Sequence, residues 1–208
     1  MTRKIKVGNV YIGGGAPISV QSMCNTKTAD VENTIKQIIS LQNAGCDIVR
    51  FAVNSATDAA AIKEIKNATD IPLVADIQYD YKLAVLSAEN GIDKVRINPG
   101  NIGDERKVRY LADVLKERKI PIRIGVNTGS LEKDLKNLNP ADALVESAKR
   151  HIKILENAGF FYIIVSLKSS DVRTSVAAAR KFSKEFDYPM HLGVTEAGTF
   201  ERGIIKNA

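Results

Sequence analysis

The 208-residue chain is 44% hydrophobic and 26% charged, with no Trp, a balance that excludes a disordered chain and leaves ample material for a buried core. No apolar run approaches the roughly 20 residues that span a bilayer, and Met1-Thr2-Arg3-Lys4 leads into no apolar signal segment, so a cytoplasmic protein without a membrane partner is expected. The net charge of +6 comes without a Lys/Arg block or basic residues interleaved with aromatics; that argues against nucleic acid and for a small anionic ligand.

Two cysteines, Cys24 and Cys46, stand 22 residues apart with no CxxC. They are too few for a disulfide framework or for a four-thiolate metal or cluster site, so both read as small packing residues.

Along the chain, Gly13-Gly14-Gly15 reads as the turn of an N-terminal hairpin. Short β-branched runs then alternate with amphipathic stretches. The expected strands are 18–23, 47–53, 73–78, 94–99, 122–127, 162–168 and 190–196. The expected helices are 31–44, 58–68, 81–90, 105–118, 141–158 and 172–186, with apolar residues at helical spacing in Thr34–Leu41. Gly45, Gly91 and Gly159 each fall just past a helix, and Asp30 and Asp171 sit where N-caps belong.

Units of this size in series, without a linker, predict a parallel α/β architecture over residues 1–208. A doubly wound nucleotide fold would carry its Gly-rich turn after the first parallel strand, whereas the Gly triplet here precedes it. The expected fold is therefore a TIM-type (β/α)8 barrel. Such a barrel takes about 250 residues; the chain reaches Ala208 early in a seventh helix, with no candidate for an eighth strand. A barrel truncated after about seven strands would leave two open edges.

Ligands of such barrels bind at the C-terminal strand ends. The late strand positions offer Arg50; Asp76 and Gln78 on one face; Arg96 and Asn98 on one face; Arg123 and Asn127 on one face; Ser166 and Lys168; and His191, Thr195 and Glu196. Strands buried on both sides normally read as near-continuous Val, Ile and Leu, so three arginines and a lysine on four strands are anomalous. Buried cations need partners. Asp76 and Glu196 can neutralise two of the four, and the excess points to a phosphate or diphosphate held by Arg forks. Glu196 is the candidate for acid/base work, its alternation parity differing from that of Thr195. His191 and His151 read as packing residues.

Several segments resemble one family. Pro17-Ile18-Ser19-Val20-Gln21-Ser22-Met23 with Asn25-Thr26, Leu73-Val74-Ala75-Asp76-Ile77 and Val95-Arg96-Ile97-Asn98-Pro99-Gly100-Asn101 are similar, in order, to segments of the 4-hydroxy-3-methylbut-2-enyl diphosphate synthases. So are Pro121–Asn127, Gly129–Leu135, Lys168–Val172 and His191–Gly198. The resemblance runs from about Val7 to the last residue. It implies reductive ring opening and dehydration of 2-C-methyl-D-erythritol 2,4-cyclodiphosphate, the penultimate step of the methylerythritol phosphate route to isoprenoids and terpenoids. It also implies diphosphate binding by Arg50, Arg96, Asn98, Arg123, Asn127 and Lys168, with Asp76 orienting the cations, Thr195 at the substrate and Glu196 in protonation or dehydration.

The family further implies a [4Fe-4S] cluster held by three cysteines and a glutamate in a C-terminal domain with no counterpart among these residues, a ferredoxin or flavodoxin as electron donor, and a homodimer. The sequence departs from the pattern at Gln78, where the family usually has His; Gln carries no proton at neutral pH. Two other readings stay open: a barrel that binds the cyclodiphosphate without turning it over, and a dihydropteroate-synthase-like phosphate-binding barrel.

Overall fold

The computed structural model describes residues 1–97, 102 and 105–207. The chain opens with an antiparallel hairpin, β1 (Ile5–Val7) and β2 (Val10–Ile12). Its two-residue loop is Gly8-Asn9, with Gly8 at φ +55°, a left-handed conformation that glycine adopts without steric cost. The hairpin turn is thus at Gly8, and the Gly13-Gly14-Gly15 triplet expected there instead follows β2.

Six parallel strands come next: β3 (Gln21–Met23), β4 (Ile48–Ala52), β5 (Leu73–Ile77), β6 (Lys94–Ile97), β7 (Ile122–Asn127) and β8 (Ile163–Lys168). They are ordered in the sheet as in the sequence. The helices between them are α1 (Val31–Asn43), α2 (Ala56–Ala68), α3 (Tyr81–Glu89), α4 (Glu105–Glu117) and α5 (Pro140–Asn157), with α6 (Val172–Glu185) and α7 (Phe200–Asn207) after β8. Asp30 and Asp171 cap α1 and α6 by accepting from the Asn33 and Thr174 amides, as expected. Gly45, Gly91 and Gly159 follow their helices at positive φ.

The sheet curls. In a flat sheet β3 and β6 would lie three strand spacings apart, roughly 14 Å, yet Lys94 Nζ of β6 donates to Gln21 Oε1 of β3 at 3.0 Å. Alternation divides the curled sheet into two faces. Outward, Val49, Phe51, Val95, Ile97, Ile122 and Ile124 pack against Ile38 of α1, Ile62 of α2, Leu111 of α4, Leu144 of α5 and Phe182 of α6. Inward and low, Ile48, Val74 and Ile164 meet Ile5 and Val7 of the hairpin, which plugs the floor at the N-terminal strand ends. Arg3 ties this plug down: its amide donates to Asp187 O at 2.7 Å and its Nη1 to Tyr188 Oη at 3.0 Å.

The barrel-type parallel sheet matches the expectation, with one correction to the strand count. The seventh strand, expected over 190–196, reduces to a bridge between Met190 and Val165, with the His191 amide donating to Val165 O at 2.8 Å. Gly193 and Gly198 take positive φ there, and so does Glu196, which breaks the extended geometry a strand requires. The first parallel strand is also shorter than expected, running over Gln21–Met23, with Ile18 and Val20 before it exposed. Strand 94–99 is seen as far as Ile97, its last two residues lying outside the described set.

Candidate functional site

Above the apolar floor, the inner face of the curled sheet is charged. Asp76 on β5 accepts from Arg96 Nη1 of β6 at 2.7 Å, while Arg50 Nε of β4 lies 3.6 Å from its other oxygen. Arg50 also directs Nε and Nη2 at Met23 Sδ of β3, at 3.2 and 3.0 Å. Arg96 and Arg123 pair across β6 and β7, and Asn127 and Lys168 pair across β7 and β8. The structure therefore brings Arg50, Asp76, Arg96, Arg123, Asn127 and Lys168 onto one concave face, as alternation requires. Asn98, expected beside Arg96, lies outside the described residues.

Lys94, a site residue absent from the sequence-level set, joins them. It opens β6, is 1% exposed, and its ammonium reaches Gln21. Its spacing of two from Arg96 was the available signal.

Charge balance decides what this face can do. Among the described residues, Asp76 is the single carboxylate acting on Arg50, Arg123 and Lys168. Arg123 is 2% exposed, and among the described residues its Nε and Nη1 have no hydrogen-bond partner; neither do Arg96 Nε and Ser166 Oγ. Burial, then Arg50 and Arg96, push the Arg123 pKa well down, though a guanidinium stays protonated. Burial, reinforced by Arg123 and Arg50, likewise depresses Lys94. Lys168 falls to about 7, through burial first and then Arg123, Arg50 and Arg96. Several cations facing one carboxylate, with orphaned N–H groups among them, have the chemistry to receive an anion: orphaned buried donors cost about 1–3 kcal/mol each unless a ligand accepts from them.

His191 stands closer to this group than expected. Burial and the cations Arg123, Lys168, Lys94 and Arg50 push its pKa down, so the ring is neutral at pH 7. A cleft of about 630 Å³ opens beside it, between β3 and the segment after α6, and touches the cation group at Lys94.

Glu196 is exposed, its backbone is left-handed at φ +49°, and it makes no ion pair among the described residues, so of the two carboxylates expected to neutralise the cations Asp76 is the one seen to pair with them. Thr195 is half-buried, and its amide donates to Ser169 O at 3.3 Å. With no strand there, the alternation argument separating Thr195 from Glu196 lapses. Gln78 is exposed just past β5. His151 on α5 meets Glu132 at 3.3 Å, a helix-to-loop contact.

Cys24 is buried, its thiol pushed up to about 11 by that burial, and Cys46 is half-buried. Among the described residues no group of three or more His, Cys, Asp or Glu side chains comes together. Two such thiols do not fit the ligand set of a [4Fe-4S] cluster, and none is placed on them. No described helix is long and apolar enough to cross a membrane.

Known proteins resemble the chain at two levels. It is 57% identical over 210 residues to the 4-hydroxy-3-methylbut-2-en-1-yl diphosphate synthase (flavodoxin) of Fusobacterium nucleatum, covering 100% of this chain and 59% of that protein. The like-named proteins of Clostridium perfringens and Caldanaerobacter subterraneus are 57% and 54% identical, with 60% and 59% of their lengths covered. The chain thus spans about three-fifths of these curated relatives. Among solved structures, a Xanthomonas albilineans dihydropteroate synthase aligns with a TM-score of 0.69 at 11% identity, over 99% of this chain and 81% of that one. A type I 3-dehydroquinate dehydratase from Clostridium difficile aligns with a TM-score of 0.68 at 15% identity, over 99% and 84%. At such identities the likeness is one of fold alone. The GcpE TIM-barrel domain model matches residues 2–208, and the chain belongs to that family.

Proposed function

We propose that this chain is the substrate-binding barrel of a 4-hydroxy-3-methylbut-2-en-1-yl diphosphate synthase. It would bind 2-C-methyl-D-erythritol 2,4-cyclodiphosphate for the two-electron ring opening and dehydration that yields the linear diphosphate of the isoprenoid route. The carrying observation is the buried, under-neutralised cation face, whose orphaned Arg96 and Arg123 N–H groups suit phosphoryl oxygens. In this reading Arg50, Arg96, Arg123 and Lys168 hold the diphosphate, Asn98, Asn127 and Thr195 add polar contacts, and Asp76 orients Arg96 and Arg50. Glu196 takes a protonation role if its loop turns toward bound substrate.

The names of the relatives support a flavodoxin as electron donor. The [4Fe-4S] cluster implied by the resemblance would be held by residues outside this chain, in a cytoplasmic homodimer whose partner closes over the barrel. The fold likeness to dihydropteroate synthases gives no comparable support to a pterin ligand, because it carries no site residues.

Calorimetric titration of the cyclodiphosphate tests the reading. Arg96→Ala is expected to weaken binding by about 1.5–3 kcal/mol, the worth of a hydrogen bond to a charged group. Unchanged affinity in a folded variant would remove Arg96 from the site.

A further inference from the structure

Around the inner face of β7 stand buried donors that find no acceptor among the described residues. Arg123 and Gly125 share that face, two residues apart. Arg96 pairs with Arg123 from β6, and Ser166 pairs with Gly125 from β8. Arg96 Nε, Arg123 Nε and Nη1, and Ser166 Oγ are all buried without a partner among the described residues. Three side chains from three adjacent strands, unsatisfied around one position, point to a missing acceptor and not to a packing error, because native interiors satisfy nearly all such groups.

At the centre stands Gly125. A Cβ built there would lie 2.6 Å from Arg96 Nε, 3.1 Å from its Nη2 and 3.2 Å from its Cζ. Its φ is not left-handed, so the position needs glycine for space and not for backbone conformation. Swinging the guanidinium aside would come at the expense of the bond from its Nη1 to Asp76 Oδ1, now 2.7 Å. Any side chain at 125 would pull Arg96 away from Asp76 or drive its Nε out of the face it shares with Arg123 and Ser166.

We propose that Gly125 is a positioning residue that seats the Arg96 guanidinium against β7, and that Ser166 is a further ligand, so that Arg96 Nε, Arg123 and the Ser166 hydroxyl converge on one phosphoryl group. The inference rests on the diphosphate reading and deepens it: of the two phosphoryl groups, one is held by β6, β7 and β8 alone. The Ser166 hydroxyl donates to a phosphoryl oxygen, as do the three guanidinium N–H groups.

The test is a double-substitution cycle read by calorimetric titration with inorganic pyrophosphate, with thermal melts of each variant alongside. Gly125→Ala is expected to weaken binding about tenfold or more, the scale of one lost charge-assisted hydrogen bond. In an Arg96→Lys background, where no guanidinium stands over the position, the same substitution is expected to cost less than about twofold. Equal losses in both backgrounds would overturn the positioning role. Ser166→Ala, which removes one oxygen and strains nothing, is expected to keep the melting temperature and to lose about three- to tenfold in affinity. Unchanged affinity there removes Ser166 from the site, whether or not Gly125→Ala folds. If the unaltered chain binds neither pyrophosphate nor the cyclodiphosphate, the diphosphate reading itself fails, and this inference with it.

Discussion

The two faces of the same six strands are both buried, and they are chemically opposite. On β6, Val95 and Ile97 point outward into the apolar layer under the helices, while Lys94 and Arg96 point inward. On β7, Ile122 and Ile124 point outward and Arg123 inward. The outer face contributes stability, at roughly 25 cal/mol per Å² of apolar surface removed from water. The inner face costs stability: it desolvates cations that one carboxylate cannot neutralise. The buried cations above the apolar floor therefore weaken a fold that the outer face holds together.

The sharpest way to break this contrast is Asp76→Ala. It leaves Arg96 and Arg50 buried without their carboxylate, and denaturant melts are expected to show a loss of about 3–5 kcal/mol. Asp76 is an inner-face residue, so a loss below about 1 kcal/mol would mean that water already screens the cations.

Next in size, Ile124→Ala on the outer face is expected to cost about 2–5 kcal/mol, through lost burial and the cavity left behind. It should leave pyrophosphate affinity unchanged per folded molecule.

Arg123→Met inverts the usual sense of a core substitution. Replacing a buried, unpartnered guanidinium by an apolar chain of similar length is expected to stabilise the ligand-free chain by about 1–4 kcal/mol while abolishing tight pyrophosphate binding. A destabilised variant would mean that Arg123 has structural partners when no anion is present.

The most gradual effect is a pH dependence. Lys168 titrates near 7 in the folded chain and near 10.4 unfolded, so the unfolded state binds more protons between those values and stability rises with pH across that window. The burial penalty is fully present below about pH 7. Lys168→Met is expected to flatten this slope in pH-resolved melts. An anion beside Lys168 favours its charged form, so pyrophosphate binding should take up protons from about pH 7 upward, and calorimetry in buffers of different ionisation enthalpy reads that uptake.

How much of this was legible in the residues varies along the chain. The parallel α/β order followed from β-branched runs alternating with helical ones, and the caps at Asp30 and Asp171 were local chemistry. The cation face was legible in outline because alternation is rigid: Arg96 and Arg123 stand where an apolar residue belongs. Lys94 was missed because it opens its strand, where a lysine reads as a surface residue. Only closure of the sheet brings it to Gln21. The loop over 190–196 was not legible either, since its residues read as a strand and only the structure puts Gly193 and Glu196 at positive φ.

The sequence by itself determined the periodicities: which segments are strands or helices, where helices start and stop, and which residue types share a strand face. These are local consequences of backbone geometry and side-chain spacing. The tertiary structure alone decided which faces look at each other. Curling set Asp76 between Arg50 and Arg96, left Arg123 Nε and Nη1 and Ser166 Oγ without partners among the described residues, and laid the Arg96 guanidinium where Gly125 has no side chain. Those are distances between strands some 20 to 40 residues apart, and they are fixed by packing the outer face against the helices and the hairpin beneath the floor, which no local pattern encodes.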